Sequence, residues 1–181
     1  MEVEFDSTEA LSPGIAVCPA AVGDGDRLLL VFAEGDAFHR AALPSMFREA
    51  AEPFPSRERI TELIDNPESL LLVATHGDHL VGCLEARLTT APELPIFVPR
   101  RFVFINSMAV LSGWRRRGVG RKLLAAVEQW AQEKGATGIE LTVFEFNSGA
   151  RALYEQVGYT TMQRRMTKRV HPMDAAQDGD A

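Results

Sequence analysis

With 181 residues the chain is long enough to bury one substantial core and short for two domains. Hydrophobic residues at 46%, charged residues at 24% and a mean hydropathy of -0.06 exclude a chain dominated by disorder. The net charge of -6 argues against a general nucleic-acid binder, yet leaves room for a local basic patch, which Arg115 to Lys122 supplies.

Residues 1 to 13 carry acids, Ser12 and Pro13 without periodicity and read as a flexible lead-in to one domain over 14–170. The start Met1-Glu2-Val3-Glu4 is acidic where a signal peptide is basic, and no apolar run reaches membrane-spanning length. A cytoplasmic chain without membrane or nucleic-acid partners is therefore expected. Cys18 and Cys83 stand apart from any CxxC or Cys/His spacing, so they read as buried, reduced thiols, with no metal site.

Ile15 to Cys18 is a candidate first strand, ended by Pro19. Asp24 and Asp26 can cap a helix with apolar positions Leu28, Leu29, Val31 and Phe32, ending near Gly35, and an irregular helical stretch over 38–50 follows. Ser56 caps a helix from Arg57 to Ile64 that Asn66-Pro67 stops. Leu70 to Thr75 and Leu80 to Leu88 form a hairpin through Gly77-Asp78. The three prolines between Thr89 and Arg100 make that span a surface loop, a plausible acceptor-side wall.

Phe102 to Val110 is an apolar strand broken by Asn106 and Ser107. Leu123, Leu124, Val127 and Trp130 recur at helical spacing over 121–134, and Gly135 ends that helix. Ile139 to Phe144 is a further strand, Ser148 caps a short helix through Tyr154 and Val157, and Tyr159 to Val170 alternates as a last strand. The acidic tail over 171–181 reads as disordered.

Between strand and helix lies Arg115-Arg116-Arg117-Gly118-Val119-Gly120. A helix start leaves backbone N–H groups unpaired, glycines admit a pyrophosphate to close approach, and arginines add charge, so this stretch is a socket for a phosphorylated ligand. A P-loop needs Lys and Ser/Thr after its last glycine, and Gly118 is followed by Val119-Gly120. A dinucleotide fingerprint needs a third glycine where Leu123 stands, although Glu140 lies at about the right distance.

The loop matches the acyl-CoA motif [Q/R]-x-x-G-x-[G/A]. A second stretch, Asn147 followed by Ala152-Leu153-Tyr154-Glu155-Gln156-Val157-Gly158-Tyr159, matches a later signature of the same family. On these two motifs the chain resembles the GNAT superfamily of N-acetyltransferases, most clearly from Leu70 to Lys168, with Val81-Gly82 in the third strand included. The resemblance implies a three-layer α/β (α+β) fold, a mixed and mostly antiparallel sheet flanked by helices. It also implies acetyl transfer from acetyl-CoA to a primary amine of a small molecule or protein, by direct attack in a ternary complex.

The resemblance places the CoA pyrophosphate on Arg116, Arg117, Gly118, Val119, Gly120 and Arg121 with Arg115 in support. The pantetheine arm pairs with backbone at Met108 and Val110, and Asn147 contacts CoA. Tyr154 is the implied general acid for the departing thiolate. The base is left open. Glu85 alternates with Val81 and Cys83 on one strand face and Glu145 follows the fifth strand, so either is placed to reach an acceptor, and a solvated surface acid is the competing reading. Asn106 and Ser107 offer a water path instead, and Asp36 and His39 lie in the region that walls the acceptor site in similar proteins. Rival readings are a non-catalytic acyl-CoA-binding or interaction module and a dinucleotide-binding domain. The acceptor is not legible, and a homodimer is left open.

Overall fold

The computed structural model describes residues 14–168. The lead-in over 1–13, the tail over 171–181 and the last two positions of the expected final strand lie outside the described residues. Five strands form one sheet in the order β1-β2-β3-β4-β5: β1 is Ile15–Pro19, β2 Ser69–His76, β3 His79–Thr90, β4 Arg101–Val110 and β5 Ile139–Leu141. The first four pair antiparallel and β4 pairs with β5 in parallel. Helices α1 (Gly25–Ala42), α2 (Arg57–Asp65), α3 (Val119–Glu133) and α4 (Ser148–Gln156) complete the three-layer mixed fold that the motifs imply.

The alternation of β2 explains the layers. Leu71 and Val73 pack with Leu28, Val31 and Phe32 of α1 and Ile60 of α2, whereas Leu72 and Ala74 pack under α3. Val119, Leu123, Leu124 and Val127 of α3 are each at most 1% exposed, and each such burial contributes about 1.5–3 kcal/mol. That stripe clamps α3 onto the sheet and thereby fixes the position of its first turn.

Two bulges re-aim side chains. Val81 has no partner between the Ala74–Gly82 and Thr75–Leu80 pairs, so it joins Gly82 on the α3 side while Cys83 turns to the α1 side. The expected shared face of Val81, Cys83 and Glu85 is thus corrected to Cys83 and Glu85 alone. In β4, Glu85 faces Ser107 and Ala86 faces Ile105, which leaves Asn106 as the extra residue. The bulge falls where the apolar run breaks.

Several expected boundaries move. Helix α1 runs through Gly35 to Ala42 because Gly35 serves close packing: a Cβ there would meet the Ala109 Cβ at 3.4 Å. Strand β5 stops at Leu141 rather than Phe144, since its pairing with β4 ends at the Ile105–Leu141 pair. Asn147, not Ser148, caps α4, its Oδ1 accepting from the Ala150 N–H at 3.1 Å. Cys18, expected buried, is exposed on the edge strand β1, while Cys83 is buried. Residues 159–168 form no strand: alternation alone gives no ladder partner, and Met162 and Met166 stand 69% and 91% exposed. Ser56 does cap α2, accepting from Arg59 N–H at 3.2 Å.

Candidate active site

Strands β4 and β5 pair only from Val103–Ile139 to Ile105–Leu141, and among the described residues the rest of β4 has no strand partner on that side. The Leu111 N–H donates to Val81 of β3. By two-residue alternation the backbone groups of Met108 and Val110 therefore face away from β3, into the split. The Val110 carbonyl agrees, since it accepts from Arg115 Nε at 3.1 Å rather than from β3.

The split opens into a cleft of about 670 Å³, within the usual range for small-molecule sites. Its floor is Met108 to Val110, and its far wall is the start of α3. The first bond within α3 runs from Lys122 N–H to the Gly118 carbonyl. The N–H groups of Val119, Gly120 and Arg121 thus have no acceptor in their own helix, no side chain caps them, and all three residues line the cleft. Two left-handed residues turn the chain into that position, Arg116 at φ 63° and Gly118 at φ 83°. For Gly118 this conformation is free of strain, whereas Arg116 takes it with a side chain attached.

Close packing sets the rest of the loop. A Cβ on Gly120 would lie 2.8 Å from Leu153 Cδ2, so α4 seats directly on the glycine. Arg121 reaches Gln156 of α4 at 3.2 Å. Arg115 turns inward, with its guanidinium 5.2 Å from the Phe38 ring and 3.6 Å from Glu34 of α1. Of the expected donor-side residues, Met108, Val110, Arg115, Arg116, Gly118, Val119, Gly120, Arg121 and Asn147 all line the cleft. Arg117 does not: it stacks over Trp114 at 5.0 Å.

Tyr154 is not among the cleft-lining residues; its neighbour Leu153 is. Its ring packs on the α3-side core, 5.7 Å from that of Tyr159. Burial pushes its hydroxyl up to about 12, so the phenol keeps its proton at neutral pH.

Beyond the β4 bulge a second pocket of about 300 Å³ lies between α1 and the sheet. Glu85, Asn106 and Ser107 line it with Asp36, Phe32 and Phe54. Both bulge residues face this pocket while Met108 to Val110 face the larger cleft, so the two spaces adjoin along β4 and α1. Asn106 Nδ2 donates to Glu85 Oε1 at 2.8 Å. The Ser107 hydroxyl is buried without a protein partner. Partial enclosure pushes the Asp36 carboxyl above its ordinary range, against the lowering pull of His39 and Arg40. Glu145 lies apart from both spaces, 89% exposed and paired with Arg151 at 2.6 Å.

One feature of the cleft has no counterpart in the motifs. The His39 ring lies within 6 Å, centroid to centroid, of Phe38, Phe47, Phe144 and Phe146. Only the i, i+2 spacing of Phe144 and Phe146 hints at this cluster in the sequence.

The profile of the Acetyltransferase (GNAT) family matches residues 36–159, which span both motifs. The chain is 27% identical over 113 residues to the uncharacterized N-acetyltransferase YhfO of Bacillus subtilis, covering 62% of this chain and 73% of that protein. Matches to two further uncharacterized N-acetyltransferases of that organism take in 46% of their length. Among solved structures, a mutant of the BH1408 protein from Bacillus halodurans superposes with a TM-score of 0.81 at 23% identity, over 86% of this chain and 99% of that one. The structure of AAC(6')-Iy with the bisubstrate analog CoA-S-monomethyl-acetylneamine superposes with a TM-score of 0.66 at 16% identity, over 87% and 99%. At these identities the two structures speak for the fold alone. With the profile covering more than half of the sequence across the cleft just described, the chain belongs to the GNAT acetyltransferase family.

Proposed function

We propose that a single domain over 14–170 transfers an acetyl group from acetyl-CoA to a primary amine by direct attack in a ternary complex, in the cytoplasm. The observation that carries this reading is the cleft itself. Three unpaired N–H groups at the start of α3 suit a pyrophosphate, and the backbone of Met108 with the Val110 N–H, facing away from β3, suits the amide-bearing arm that follows it. Asn147, Arg115, Arg116 and Arg121 add polar and cationic contacts along the same wall. An N–H at Met108 is placed to polarise the thioester carbonyl.

The second pocket adjoins the cleft at the point where the arm would end, and its carboxylates favour a cationic acceptor. Glu85, oriented by Asn106, faces that pocket as a counter-charge for the acceptor's ammonium; Glu145, solvated and paired with Arg151, lines neither space. The role of proton donor to the departing thiolate proposed for Tyr154 rests on the motif alone, since the residue packs behind Leu153 and does not line the cleft.

The test is acetyl-CoA consumption against a panel of ornithine, cadaverine, spermidine, a lysine peptide and kanamycin A. A thermal-shift comparison of acetyl-CoA, CoA and NAD accompanies it. Turnover with at least one amine and stabilisation by both CoA species are expected. Stabilisation without turnover would instead support a non-catalytic acyl-CoA-binding module, and stabilisation by NAD alone a dinucleotide-binding domain.

A further inference from the structure

His39 stands in the last turn of α1, on the wall of the donor cleft opposite Met108 and Ala109. Its Nδ1 lies 2.9 Å from the Gly35 carbonyl oxygen. A carbonyl can only accept, so Nδ1 carries the hydrogen and the neutral ring holds its free lone pair on Nε2. The helix sets this tautomer: Gly35 is four residues back, and its carbonyl points along the axis at the ring.

The surroundings then fix the plane of the ring. Phe38 and Phe146 lie 5.8 Å from it, Phe47 and Phe144 5.6 Å, each tilted or edge-on. Four aromatic rings pack around the half-buried ring, and the residue lines the cleft. Of the two carboxylates weighed as bases, Glu85 accepts from Asn106 and Glu145 pairs with Arg151. The Nε2 lone pair has no such partner among the described residues.

We infer that Nε2 of His39 is the proton acceptor for the amine that attacks the thioester, a role that rests on the acetyltransferase reading above. An arriving ammonium gives one proton to Nε2, which leaves a neutral amine and an imidazolium. The nitrogen lone pair forms the C–N bond, and the C–S bond breaks as the tetrahedral adduct collapses. The second nitrogen proton passes to the departing thiolate. The imidazolium returns its proton to solvent, so the products are an amide, a free thiol and one proton. The aromatic fence stabilises the cationic ammonium before transfer and the imidazolium after it.

The charged groups around the ring come from every neighbouring element. Asp36 and Arg40 flank it on α1, Arg115 reaches over Phe38 from the donor loop, Arg48 follows Phe47, and Glu145 with its partner Arg151 lies between Phe144 and Phe146. Asp36, three residues back on the helix, is the nearest carboxylate in sequence and stabilises the imidazolium.

The experiment compares wild type, His39→Gln and Glu85→Gln with the panel amine of highest wild-type turnover. The expected result is a fall in kcat/KM of about 10²-fold or more for His39→Gln, with loss of the acidic limb of its pH profile. Acetyl-CoA affinity stays within about twofold of wild type. In His39→Ala, added imidazole restores rate in proportion to its free-base concentration. A His39→Gln enzyme that keeps the limb and a near wild-type rate overturns the assignment, as does loss of the limb in Glu85→Gln alone. If the His39 variants do not fold, nitrogen-15 NMR of the wild-type histidines decides: hydrogen on Nε2 instead of Nδ1 overturns the proposal. Failure of the wild-type chain to acetylate any panel amine refutes the acetyltransferase reading instead, an outcome separate from these.

Discussion

Gly82→Ala tests how the sheet holds the donor loop. The new Cβ would lie 3.0 Å from the Ala109 carbonyl oxygen, 3.0 Å from Val119 Cγ1 and 3.4 Å from Val110 Cγ2. The carbonyl belongs to β4, which is paired to β3 along its length, so it cannot retreat. Val119 is 1% exposed and is the first residue of α3, so the methyl has to displace the turn that presents the three unpaired N–H groups. Overpacking of this kind costs about 1–3 kcal/mol. For a chain of this size, each kcal/mol lowers Tm by about 2–4 °C, which gives a drop of roughly 2–12 °C by scanning fluorimetry. Titration calorimetry should show acetyl-CoA binding weakened roughly fivefold, a loss of about 1 kcal/mol. An unchanged Tm together with an unchanged Kd would refute the argument that Gly82 positions the loop through Val119.

Arg116→Gly should leave stability within about 1 kcal/mol, because relief of the left-handed backbone offsets the added freedom of the unfolded chain, while acetyl-CoA affinity falls; denaturant melts and calorimetry read the two effects separately. Tyr154→Phe should lower kcat with little change in acetyl-CoA affinity, and unchanged turnover where chemistry limits the rate would remove Tyr154 from the acid role. Since the folded-state value of its hydroxyl is raised to about 12, the phenol gives no alkaline loss of activity below about pH 10, and its contribution to stability is present below pH 10 and lost as pH rises toward 12. Cys18 should react with a thiol reagent at once and Cys83 only on unfolding, because burial holds the Cys83 thiol up at about 12; rapid reaction of both would place Cys83 outside the core.

The elements best legible in the sequence are those whose cause is local. The α3 stripe of Leu123, Leu124 and Val127, the β2–β3 turn and the Ser56 cap each depend on residues a few positions apart, and each stands as read. The loop that lines the cleft was legible for the same reason, since its N–H groups belong to one helix start and its charges to one stretch. Where the reading moved, a distant contact intervened. Gly35 looked like a helix end and is a point of close approach to Ala109, 74 residues away by numbering (109 − 35). The strand expected over 159–170 has the right alternation and, over its described part, no partner.

The acceptor side is another matter. Nothing in the spacing of Glu85 and Asn106 announces a bulge, yet the bulge turns Asn106 and Ser107 into one pocket and Met108 to Val110 toward the other. Likewise Phe38, Phe47, Phe144 and Phe146 come from three segments and meet only around His39. The sequence by itself determined the glycine loop and helix start that line the cleft, because both are written in consecutive residues. Only the tertiary structure decided which side chains line the second pocket and which rings surround His39, because a strand's register and the closure of a cluster from separate segments are set by packing across the whole sheet.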